Sequence, residues 1–473
     1  MTPSLTSNRS YALDALRGFA ILTMVLSGVI PYGVLPSWMY HAQLPPPAHQ
    51  FNPNLPGFTW VDLVFPIFLF ALGAAIPLAL SRRIEKGVSY WKIIFAIMER
   101  GFLLGFFAIF LRHVRPHVID PSPKTSAWLI AIIGFLLMFM IFTRLPDQWP
   151  RLLKWSIRAI GWLGALGLVS QLRYPDGSGF SLQRSDIIII VLANMAVFGS
   201  LIWLFTQNRF LIRLGILGIL MAFRLAHTEI GWVKWLWDFS PIPWIYKLYY
   251  LQYLFIVIPG TIIGDLLVQF IKKPSKDESG QGNWSQARFI SIALLMIGIL
   301  VFMLVGLQAR LLWQTTVLGV GLCGLGWWLV RNQGTEIESL IKTLLGWGIY
   351  WLILGLVFEP YEGGIKKDHP TLSYYFITTG LSIFLLIAFT VAIDLLHKQR
   401  WVQWLIDNGQ NPMIAYVGFA NFIWPILALT GLEKLVLTIT PTPWLGFLRG
   451  LFYTFILALM VSFFTRRKVF WRT

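Results

Sequence analysis

Long apolar runs follow one another along almost the whole chain, at 12–32, 59–81, 91–111, 126–144, 152–172, 186–206, 209–226, 248–271, 288–309, 311–330, 338–358, 371–396, 409–430 and 445–465. Each approaches or exceeds the roughly 18 residues that a helix needs to cross the hydrocarbon core. None alternates over the ~10 residues of a transmembrane strand, which excludes an outer-membrane-type barrel. The pattern therefore predicts an all-α, polytopic transmembrane helical bundle. Runs 186–206 and 209–226 abut, as do 288–309 and 311–330, so re-entrant pieces leave the expected number of spans at about ten to fourteen.

Three polar or mixed stretches interrupt this pattern. The segment 33–58 carries His41 and His49, a Pro45-Pro46-Pro47 run, and no Lys or Arg. The stretch 227–250 is dense in Trp and Tyr, which suits an interfacial aromatic belt or a platform for sugar rings. Residues 272–288, KKPSKDESGQGNWSQAR, form the one markedly hydrophilic segment. They are predicted to be a flexible cytoplasmic linker between an N-terminal membrane half, 1–271, and a C-terminal half, 289–473.

Composition agrees. Of 473 residues, 56% are hydrophobic and 12% charged, against roughly a quarter charged in soluble domains. Mean hydropathy is +0.67. The net charge of +17 lies mostly in short loops, such as Arg82, Arg83 and Lys86, where it orients the chain and does not signal nucleic-acid binding. The bias places both termini in the cytoplasm and the histidine loop on the far side, with Arg112, Arg115 and Lys124 running against it. Asp14 and Arg17 fall inside the first run, so that run reads as a retained helix and not a cleaved signal. The single Cys323 supplies neither a disulfide nor a cysteine metal site.

Against this background the few polar side chains in or beside the runs stand out, because burying them in a bilayer is costly without a partner or a cavity. Asp14 and Arg17 share a helix face and can pair. Asp62, after Thr59, suits either a helix cap or a carboxylate that orients a histidine. His49 and His41 are the groups best poised to move protons near neutral pH; a metal site lacks third and fourth ligands, so none is expected. The segment 359–375, EPYEGGIKKDHPTLSYY, sets Lys367, Asp368, Thr371, Ser373 and Tyr374 at one helix entry, and 407–418, DNGQNPMIAYVG, sets Asn411 and Tyr416 at another. Read alone, these are caps and interfacial anchors.

Four segments together resemble one family: DALRGFAILTMVL at 14–26, GFTWVDLVFPIFLFALG at 57–73 with the histidine loop before it, IKKDHPTLSYYFITTG at 365–380, and GQNPMIAYVG at 409–418. In that order they look like the heparan-α-glucosaminide N-acetyltransferase family and its bacterial relatives, within the wider transmembrane acyltransferases. ERGFLLGFF at 99–107 adds weaker support. The resemblance implies transfer of an acetyl group from cytoplasmic acetyl-CoA to an amine or hydroxyl of a sugar on the far side, by a histidine preceding the DLVFP segment. His49 is the favoured match to that histidine, because it needs the smaller insertion, and His41 is its rival. His41 matches its His-Ala context but needs a longer one. With Asp62 as the orienting partner, the expected donor site draws on Arg17, Arg82, Arg83, Arg100, Lys367, Ser373, Tyr374, Asn411 and Tyr416. The implied partners are acetyl-CoA, a sugar or glycan acceptor and membrane lipids, with homodimerisation left open, in a multi-pass protein of a bacterial inner membrane. A transporter or flippase for a cell-envelope glycan or lipid-linked sugar is the alternative, with Asp14, Arg17, Glu99, Arg100 and Asp265 lining its path.

Overall fold

The computed structural model describes residues 10–33, 35–229, 231–272 and 284–473. The greater part of the expected linker, 273–283, lies outside the described residues. The principal helices are α1 (Tyr11–Val29), α2 (Trp60–Glu85), α3 (Tyr90–His113), α4 (Thr125–Phe142), α5 (Arg151–Gln171), α6 (Ile187–Phe205), α7 (Phe210–Ala226) and α8 (Leu254–Lys272). They continue with α9 (Gln286–Gln308), α10 (Leu312–Leu329), α11 (Glu336–Phe358), α12 (Leu372–Thr390), α13 (Gln403–Gln410), α14 (Pro412–Leu429) and α15 (Pro443–Arg466). Their starts follow from local chemistry. The Ser10 hydroxyl accepts from the Leu13 N–H, Asp186 accepts from Ile188 and Ile189, and Thr335 with Glu338 forms a capping box; each satisfies N–H groups that the first turn leaves orphaned.

Among the described residues, twelve helices are long and apolar enough to cross a membrane, and the protein is an integral membrane protein. The two apolar runs outside that set still traverse the bundle. At one end of α7, Arg213 pairs with Asp265 near the close of α8; at the other, Arg224 reaches Glu362 and Pro370 beyond α11. α10 starts with Thr315 against Gly306 of α9 and ends with Leu329 accepting from Arg288 at the start of α9. Each therefore runs antiparallel to its neighbour. α7 falls short by length, and α10 is weakened by Gln314, Thr315 and Thr316.

Antiparallel packing gives the bundle two ends. One holds the 30–59 and 359–371 loops. The other holds the basic stretch after α2 and the residues after α15. α12 and α2 are the central helices, their apolar windows 89% and 78% buried, whereas that of α5 is 17% buried. Peripheral helices expose Leu152, Trp155, Leu163, Leu448, Phe455 and Phe463, an apolar exterior that fits lipid.

Glycine sets the closest crossings. A Cβ on Gly18 of α1 would lie 1.8 Å from the Leu405 carbonyl oxygen of α13, and one on Gly409 would lie 1.8 Å from the Asp14 oxygen. Without a side chain the two backbones touch, as small residues allow in membrane bundles. Gly73, Gly260 and Gly264 do the same between α2 and α8.

Candidate active site

The N-terminus of α2 carries a carboxylate with two roles, one for each oxygen. Thr59 precedes the helix in an extended conformation, and Asp62 at its third position reaches back: Oδ2 accepts from the Thr59 N–H at 3.0 Å and the Ala42 N–H at 3.2 Å. This is N-terminal capping, and it ties the histidine loop to the helix. Oδ1 lies 2.9 Å from Nδ1 of His41. Asp62 is fully buried, and Tyr374 of α12 donates to its backbone oxygen at 2.9 Å.

The other nitrogen of His41 faces a second carboxylate, with Nε2 2.8 Å from Oδ2 of Asp368. Asp368 sits on a turn closed by Lys366 and Thr371, each accepting the other's backbone N–H. The wider loop is held by Arg310 on Glu359 and by Arg224 on Glu362 and the Pro370 oxygen, and the Gly57 N–H donates to the Ile365 oxygen at 2.9 Å. Burial opposes charge on His41, but Asp368 and Asp62 outweigh it and raise its pKa above the ordinary histidine value, with Lys367 acting against them. For Asp368, burial favours the neutral acid, yet His41 and Lys367 hold its pKa below the ordinary aspartate value.

His49 stands elsewhere. Its ring nitrogens lie 3.3 Å from the carbonyl oxygens of Leu44 and Gly33, and its ring packs edge-on against Tyr32 and Tyr40. It ties the loop to itself and to the end of α1. Asp62 therefore faces His41 and not His49.

The nine donor-site residues expected from sequence fall into separate places. Lys367, Ser373 and Tyr374 lie at the loop end beside His41 and Asp62; Ser373 is fully buried with its hydroxyl 3.0 Å from that of Thr371. Arg17, Arg100 and Tyr416 line a cavity of about 310 Å³. Arg82 and Arg83 are exposed at the end of α2, and Arg17 and Arg83 are the cations that bear on Arg100. Asn411 is buried; its Nδ2 donates to the Val469 oxygen and its Oδ1 accepts from the Trp471 N–H. The Tyr416 hydroxyl donates to Asp186, which also pairs with Arg115.

The cavity follows one stripe of α2. Phe65, Phe68, Leu72, Ala75 and Ala79 line it, at the three- and four-residue spacing of a single face, over about 21 Å of helix. Asp62 continues that stripe one turn before Phe65. Arg17, Arg100 and Arg472 meet the cavity toward the basic end. Nε of Arg100 has no hydrogen-bond partner among the described residues, a buried donor suited to an anion. The sequence reading gives no site role to Asp368 or Arg472. The only sequence signal for Asp368 is its acid type within KKDHP, and Arg472 is one of several basic residues after the last apolar run.

Residues 9–267, more than half of the chain, match the family described as Domain of unknown function (DUF5009). A stretch of 99 residues is 31% identical to heparan-alpha-glucosaminide N-acetyltransferase of Mus musculus, covering 21% of this chain and 13% of that protein. A stretch of 97 residues is 33% identical to heparan-alpha-glucosaminide N-acetyltransferase of Homo sapiens, covering 20% and 12%. The likeness thus spans a small part of these relatives' own length and marks a distant relationship.

Proposed function

The chain belongs to the DUF5009 family, and we propose that it is a transmembrane acyltransferase that passes an acetyl group from acetyl-CoA to an amine or hydroxyl of a sugar. The observation that carries this reading is His41 paired with Asp62 at the head of a stripe whose next turns line a cavity running toward three arginines. The similarity to an N-acetyltransferase supports the same reading.

In this mechanism the basic end faces the cytoplasm of a bacterial inner membrane, in line with the charge bias. The phosphates of acetyl-CoA meet Arg100, Arg17 and Arg472, and its thioester arm follows the α2 stripe toward Phe65. The acceptor arrives at the loop end. Its nitrogen or oxygen attacks the thioester carbon, the carbon–sulfur bond breaks, and the CoA thiolate leaves. The proton lost by the attacking atom goes to Nε2 of His41, because Nδ1 is held by Asp62, which stays ionised and stabilises the imidazolium. If His41 carries the acetyl group first, the same nitrogen forms the bond. Asn411 and Tyr416 have polar atoms engaged with the strap after α15 and with Asp186, so neither is assigned to the oxyanion.

The test is thermal stabilisation of the purified protein by CoA or acetyl-CoA, with acetyl transfer to amino sugars assayed alongside. A clear shift with CoA and transfer that depends on His41 support the reading. No shift at millimolar CoA, together with no transfer, overturns it.

A further inference from the structure

We propose that Asp368 is a positioning residue that holds His41 doubly protonated between turnovers, so that the imidazole acts only after Asp368 releases Nε2. The inference rests on the reading of His41 as the group that acts in acyl transfer. Its basis is stoichiometric. A neutral imidazole has one N–H, and an ionised carboxylate only accepts. His41 has carboxylate oxygens at 2.9 Å and 2.8 Å on its two nitrogens. Were the ring neutral, one of these contacts would set a lone pair against a carboxylate. Two carboxylates this close to one ring favour the imidazolium, which can neither take a proton nor attack a carbonyl carbon, and Nδ1 also lies 3.4 Å from the Gln43 backbone nitrogen.

The two carboxylates are unequal, and the difference assigns their roles. The side chain of Asp62 is 1% exposed, and its Oδ2 is held by donors from Ala42 and Thr59. The side chain of Asp368 is 43% exposed and makes no other hydrogen bond or ion pair among the described residues. Its loop is fixed by Arg310, Arg224 and Gly57, so release needs only a side-chain rotation. Other charged and titratable groups near the pair are Lys367 and His369 on the same loop, Arg224 with its partner Glu362, Tyr249 and Tyr253 in the turn just before α8, and Tyr374 on α12.

Release is a balanced proton transfer. The Nε2 proton passes to the Asp368 carboxylate, the acid rotates outward, and the proton goes to water. His41 keeps its Nδ1 proton on Asp62 and exposes the Nε2 lone pair to the acceptor.

The experiment compares wild type with Asp368→Asn, which keeps the shape and removes the charge. Diethyl pyrocarbonate modifies neutral imidazole, and mass spectrometry reads His41 and His49 separately across pH without donor or acceptor. The expected result is that the His41 modification curve shifts to lower pH in D368N while the His49 curve stays in place. The rising limb of the transfer rate should move the same way, so that the variant is faster than wild type at the acid end. An unshifted His41 curve, or a rate lowered equally at all pH values, overturns the proposal. A shifted curve in a protein that transfers no acetyl group leaves the hold of Asp368 standing and defeats the acyltransferase reading alone. Should D368N not fold, Asp368→Ser is read by the same labelling, and Asp368→Glu should stay close to the wild-type curve.

Discussion

Nδ1 of His41 lies 2.9 Å from Oδ1 of Asp62, while the hydrogen-bond and ring partners of His49 among the described residues are carbonyl oxygens and tyrosine rings. A general base typically contributes about 10²- to 10⁴-fold. His41→Ala is expected to lose acetyl transfer by that order. His49→Ala should retain far more activity and instead lower the melting temperature, because it removes a clasp between the histidine loop and Gly33. Parallel transfer assays and melting curves distinguish them; equal losses of activity would refute the assignment.

The raised pKa of His41 predicts two opposite pH trends. As a base, His41 must be neutral, so transfer should rise with pH through a value above the ordinary ~6.5 of histidine. Stability runs the other way. The folded state favours the imidazolium, so its contribution is full below about 6.5 and is lost as pH rises through the folded value. Melting curves of wild type and His41→Gln across pH should converge toward the alkaline side.

Arg100 tests the donor end. Losing a charge-assisted bond to a phosphate costs about 1.5–3 kcal/mol. Arg100→Met should therefore weaken CoA-induced stabilisation by roughly tenfold or more in apparent affinity. Substituting the exposed Arg83 should cost much less. Ligand-dependent melting in detergent gives both values.

Gly18 and Gly409 let α1 and α13 touch. A methyl at either site meets a carbonyl oxygen at 1.8 Å, which the backbones relieve only by separating. Gly18→Ala and Gly409→Ala should each cost about 1–3 kcal/mol or more, the usual range for overpacking. Gly28→Ala, with nothing within 4 Å of the new methyl, should be close to neutral by thermal denaturation.

Arg213 is 1% exposed and pairs with Asp265, which also accepts from Trp203 at 2.8 Å, while Arg213 donates to Thr261 at 2.9 Å. Asp265→Ala strands a buried guanidinium and should destabilise by about 3–5 kcal/mol. The double variant Arg213→Met/Asp265→Leu should recover much of that loss, since the desolvation penalty of both charges goes with them. Melting of the three variants in one detergent decides it.

The apolar runs alone determined that this is an all-α membrane bundle, because helix length and hydropathy are properties of consecutive residues. Thr59 with Asp62, likewise neighbours in sequence, was recognisable as a cap, and the two histidines were recognisable as the chemistry-bearing residues of their loop. Which histidine meets Asp62 was not legible: the path of residues 41–58 depends on Gln308 and Ile365, which bind Phe58 and Gly57 from α9 and from the loop after α11. Asp368 comes to Nε2 only because α12 packs against α2. Gly18 and Gly409 lie in two separate motifs, and their contact appears only where α1 crosses α13. Periodicity and capping record forces between residues a few positions apart. Pairings across hundreds of residues are decided by how whole helices pack, and those pairings assembled the site.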